Sequence, residues 1–122
     1  MDWNRLARRA AFWLFWPALA LVVWGELTPH PPRLEVVTSD KLLHFTAYFG
    51  LAGIATVALA GRRATLYVVI GMTLLGGLLE IAQMFTGRDA EWLDEAANGA
   101  GAVVGALCGL LFLALVRQTR RD

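Results

Sequence analysis

Four apolar stretches, at 10–27, 42–60, 64–85 and 97–116, fill most of this chain. Each is long enough to cross a bilayer, for which ~20 mostly apolar residues are typical and ~17 suffice. A soluble domain of 122 residues, 57% of them hydrophobic, could not hide that much apolar surface in a single core. The expected fold is therefore all-α: one polytopic domain over 1–122 with four transmembrane helices. Between the stretches, the prolines of "TPHPPR" lack amide donors and cannot continue a helix, "AGRRA" makes a tight turn, and "TGRDAEW" separates the third stretch from the fourth. Links this short predict an up-and-down bundle.

Arg5, Arg8 and Arg9 give the first stretch the basic start of a signal peptide. Its apolar run exceeds a typical signal core, and "ELTPHPPRLE" supplies no small-x-small cleavage site, so a retained helix is expected. Basic residues flanking spans tend to stay in the cytoplasm. Arg5, Arg8, Arg9, Arg62, Arg63, Arg117, Arg120 and Arg121 fall on one side, against Arg33, Lys41 and Arg88 on the other. Both termini are thus expected inside the cytoplasmic membrane. A net charge of +1 and the absence of a basic stripe with interleaved aromatics exclude nucleic acid as a partner. Cys108, the single cysteine, is expected to be a small packing residue.

Most acidic residues gather at the outer end, where "SDKLLHFTAYFG" opens the second span. Asp40, His44 and Tyr48 recur at i, i+4 and i+8 and so share a helical face, with Lys41 beside them. Gly76, Glu80 and Gln83 share a face of the third helix, and Asp94, Asn98, Gly101 and Gly105 one of the fourth. At 1.5 Å rise per residue, His44 and Asn98 lie about one turn inside the boundary, and Tyr48 and Glu80 about two. Ionisable groups at such depth are costly unless paired or wet, which predicts one shared, outward-facing pocket. The run Gly101, Gly105 and Gly109 would let a neighbouring backbone approach closely. Asp40 is also expected to cap its helix and Arg88 to pair with Glu80 or a phosphate. Glu26, Asp89, Glu91 and Glu95 read as solvated edge charges, and the five tryptophans as lipid-facing or interfacial bulk.

These residues, in this order, resemble the VanZ-like family of small bacterial integral membrane proteins, named for a member associated with teicoplanin resistance. The family pattern falls on Asp40, Lys41, His44 and Tyr48, then Glu80 and Gln83, then Arg88, Asp94, Asn98 and Gly101, across roughly residues 39–107. The resemblance implies a bacterial membrane bundle with its motif residues near the outer face, and no established reaction.

Three functions are expected in descending order. The first is binding of a lipid headgroup or a lipid-linked cell-envelope precursor, with Lys41 and Arg88 toward phosphate and Asp40, His44, Tyr48, Glu80, Gln83, Asp94 and Asn98 holding polar groups. The second is an intramembrane enzyme with His44 or Glu80 as acid–base group, for which Ser39, Thr46 and Thr86 are the available but unactivated nucleophiles. The third is a structural or proton-conducting role, which in so small a chain needs a homo-oligomer. One histidine among scattered carboxylates is a poor zinc signature, the nearest set being His44, Glu80 and Asp94, so no metal or cofactor is expected.

Overall fold

The computed structural model describes residues 2–29 and 39–118. Within them lie four helices: α1 (Trp3–Leu27), α2 (Asp40–Leu59), α3 (Arg62–Gln83), extended by a 3₁₀ turn at Met84–Thr86, and α4 (Trp92–Gln118). Most of the "TPHPPR" linker, Arg33, Arg120, Arg121 and Asp122 lie outside the described residues. Each helix is long and apolar enough to cross a membrane, which fits a multi-pass membrane protein. Every helix begins before its apolar run, because polar residues at a boundary still hydrogen-bond helically.

The helix ends follow local chemistry. Asp2 accepts from the Arg5 amide at 3.3 Å and starts α1. Pro17 lies inside α1 without ending it. Ala60 closes α2 in the left-handed region, φ 52°, and Gly61 then starts α3. At the opposite end of the bundle, Gly87 at φ 80° ends the 3₁₀ turn, a conformation glycine adopts without steric cost.

The helices alternate in direction, and α2 and α4, which run parallel, make the most extensive contact. Small residues explain it. A Cβ at Gly101 would collide with the Phe45 carbonyl oxygen and one at Gly105 with that of Phe49; at Gly109 it would stand 2.8 Å from the Gly53 oxygen. The two backbones therefore touch along three turns, with α1 packed mainly on α2 and α3 mainly on α4. Tyr48, Ala52, Ala55, Val68, Ala102 and Ala106 form the core between them. Outward-facing leucines, isoleucines and aromatics cover the rest, among them all five tryptophans, each at least half exposed. Cys108 also faces outward: the turn that buries Gly105 and Gly109 rotates it away from α2, so it is not a packing residue.

Candidate polar site at one end of the bundle

The end formed by the C-terminus of α1, the N-termini of α2 and α4 and the C-terminus of α3 gathers the polar residues. His44 lies at its centre, 5% exposed. Asn98 Oδ1 is 2.9 Å from His44 Nδ1, and the Asn98 amide N–H donates to Glu95 Oε2 at 3.2 Å. Gly76 makes this possible, since a Cβ there would come within 2.7 Å of Asn98 Nδ2 and 2.6 Å of Glu95 Oε2. Four carboxylates surround the ring at longer range. Glu80 Oε1 and Glu26 Oε1 lie 3.7 and 3.9 Å from Nδ1; Asp94 Oδ2 and Asp40 Oδ2 lie 3.8 and 4.0 Å from Nε2.

Two cations flank the cluster. Lys41 Nζ reaches Glu91 Oε2 at 2.8 Å and Asp94 Oδ1 at 3.3 Å. That contact holds the Glu91 carboxyl below its ordinary range, because an ammonium favours the ionised form. Arg88 approaches Asp40 Oδ2 at 3.8 Å and donates to the backbone oxygens of Glu26 and Gly25 at 2.9 and 3.4 Å. The carbonyls at a helix C-terminus lack intrahelical partners and attract a cation, so Arg88 ties α1 to the α3–α4 link.

The structure brings Asp40, Lys41, His44, Glu80, Arg88, Asp94 and Asn98 together, with Tyr48 buried one turn deeper at 0% exposure and Gln83 buried at the end of α3 at 1%. Four details differ from the sequence expectation. Glu26 is buried at 7% exposure rather than solvated, because α2 and α3 close over it. Glu95 is half-buried and bonded to Asn98. Ser39, not Asp40, holds the capping position of α2, and Asp40 turns its carboxylate toward His44 and Arg88. Arg88 pairs with Asp40 and α1 instead of Glu80, whose Oε2 accepts from the Glu91 amide at 3.2 Å.

Among the described residues, buried Glu80 Oε1 and Gln83 Nε2 have no hydrogen-bond partner; the Glu26 carboxylate and the Tyr48 hydroxyl have only each other, and Asp94 Oδ1 has the Lys41 ammonium at 3.3 Å. Of the nucleophiles considered, Thr46 is exposed on the outer face of α2, Ser39 is exposed at its start, and the Thr86 hydroxyl donates to the Gln83 oxygen. None points at His44. Fold and site together define a four-helix membrane-type bundle with a buried, acid-rich cluster at one end. Comparison with protein-family models, curated proteins and solved structures finds no match.

Proposed function

We propose that this chain is a VanZ-like protein of the bacterial cytoplasmic membrane, with both termini cytoplasmic. Its polar end faces outward and binds the headgroup of a membrane lipid or lipid-linked cell-envelope precursor. Holding such a precursor would change how a glycopeptide meets its lipid-linked target. The observation that carries this reading is the unused hydrogen-bonding capacity of buried Glu80 and Gln83, beside a Glu26 carboxylate that has only the Tyr48 hydroxyl to pair with. Buried polar groups are paired as a rule, and a cluster that only locked helices together would gain most by pairing its own members. Groups left open at the end of a bundle are the groups a ligand would complete.

Charge narrows the ligand. Among the described residues, Glu26, Asp40, Glu80, Glu91, Asp94 and Glu95 stand against Lys41 and Arg88, and both cations already have acidic neighbours. The carboxylates suit ammonium and hydroxyl donors, and a phosphate would have to share Lys41 and Arg88 with them.

An enzyme is the second reading, favoured by His44 lying within 4 Å of four carboxylates. Among the described residues Ser39, Thr46 and Thr86 do not point at it, which places this reading behind binding. Native mass spectrometry of gently extracted protein tests the first. The wild type is expected to retain one lipid class that Tyr48→Phe and Glu80→Gln lose, both changes removing polar capacity with little change in shape. Equal retention by all three would remove the support for a headgroup site.

A further inference from the structure

The two ring nitrogens of His44 meet opposite surroundings. Because Asn98 gives its amide N–H to Glu95, the atom it turns toward the ring is its oxygen, 2.9 Å from Nδ1. An amide oxygen only accepts, so Nδ1 carries the proton, and in the neutral ring Nε2 is left with a bare lone pair. What Nε2 faces are Asp40 Oδ2 and Asp94 Oδ2, at 4.0 and 3.8 Å. Three acceptors are thus aimed at one another, and a positive charge between them would satisfy all three.

A proton on Nε2 is one source of that charge, but it fits the distances poorly. An imidazolium N–H draws a carboxylate in to ~2.7–2.9 Å, and here both carboxylates stand off. The three ligand atoms lie within 4.8 Å of one another. Atoms so spaced share a point roughly 2.1–2.5 Å from each, close to the ~2.0–2.2 Å of zinc bonds to nitrogen and oxygen.

The remaining features agree with an ion. A ring Nδ1–H held by a neighbouring oxygen is the usual arrangement behind a metal-bound histidine, where it fixes the tautomer and aims the other nitrogen. Asp94, 3% exposed, turns Oδ2 toward Nε2. We infer that Asp40, His44 and Asp94 form a divalent-cation site, with Asn98 as its positioning residue. One nitrogen and two carboxylates suit Zn²⁺ with an open fourth position, or Mn²⁺ with more. Two ligands come from one turn of α2 and the third from α4, so the ion would clamp the polar end of the glycine seam. Lys41 occupies the other oxygen of Asp94. Arg88 shares Asp40 Oδ2 and competes directly, which weakens the site without removing a ligand.

The inference holds with or without a bound lipid, so its test needs none. The full chain is purified in detergent, stripped with a chelator and titrated with Co²⁺, then Zn²⁺. One Co²⁺ per chain is expected, with visible absorption that Zn²⁺ abolishes. Affinity is expected to fall at least ~10-fold in Asp94→Asn and His44→Gln, ligand loss exceeding the ~10–100-fold lower bound set by second-sphere changes. Asp89→Asn, at an exposed carboxylate of the same end, should change it little. Absence of saturable binding overturns the site, and so does equal weakening by Asp89→Asn, which would mean a diffuse acidic patch. Because ligand variants can disturb the bundle, X-ray absorption of the unmodified zinc-loaded chain gives an independent reading. One imidazole nitrogen among oxygens is expected; two imidazoles, or oxygen alone, would refute the assignment.

Discussion

Asn98 satisfies His44 on one side and Glu95 on the other, and it does so at full burial. Replacing it with leucine keeps the branched outline and removes both partners. The His44 ring would then have only Glu80 and Glu26 on its Nδ1 side, at 3.7 and 3.9 Å, beyond hydrogen-bond length. Leaving a buried polar group unsatisfied costs about 1–3 kcal/mol, so Asn98→Leu is expected to lower the stability of the detergent-solubilised protein by that amount. A thermal or denaturant unfolding curve checks it, and an unchanged midpoint would mean that His44 repairs itself on a carboxylate. The His44–Asn98 pairing was legible because i, i+4 spacing puts Asp40 with His44 and Asp94 with Asn98 on helix faces at matching depth. Glu26 was not: α1 carries no polar residue one turn before it, and its burial comes entirely from other helices. The direction of Arg88 was equally hidden, since its partners are backbone carbonyls of α1, which no side-chain pattern displays.

At the scale of the helices, the α2–α4 seam rests on atoms that are missing. Along it, Gly101 and Gly105 each face a carbonyl oxygen of α2 so closely that even a methyl group would overlap it. Backbone cannot step aside as a side chain can. Overpacking of a tight interface costs about 1–3 kcal/mol, and Gly105→Ala is expected to lose at least that much. Gly71→Ala, where an added Cβ meets nothing within 4 Å, should be neutral or slightly stabilising, as alanine exceeds glycine in helix propensity. Paired unfolding curves separate the two, and equal effects would remove the seam as the cause. The sequence marked the stripe on α4 through its four-residue repeat. It could not name the partner, because α2 meets those glycines through the backbone carbonyls of Phe45, Phe49 and Gly53, which no side-chain pattern displays.

For the whole molecule, polarity divides the two ends. One holds the buried cluster with its excess of carboxylates; the other holds Arg5, Arg8, Arg9, Arg62, Arg63 and Arg117. Arg8 there donates to the Ala58 oxygen at 3.2 Å, near the end of α2, so that end has its own helix-terminus contact. Basic residues resist translocation, whereas an acid-rich site is of use where its ligand arrives. Both considerations agree with the proposed orientation, in which the cluster faces outward. Cysteine labelling decides the matter: in a Cys108→Ala background, a cysteine at the exposed Asp89 should react with a membrane-impermeant maleimide on intact cells. One at the exposed Arg62 should react only after lysis. The reverse pattern would turn the cluster toward the cytoplasm and withdraw extracellular envelope precursors as its ligands. It would leave the cation site untouched, because the geometry around His44 is set by helix packing and not by the side it faces.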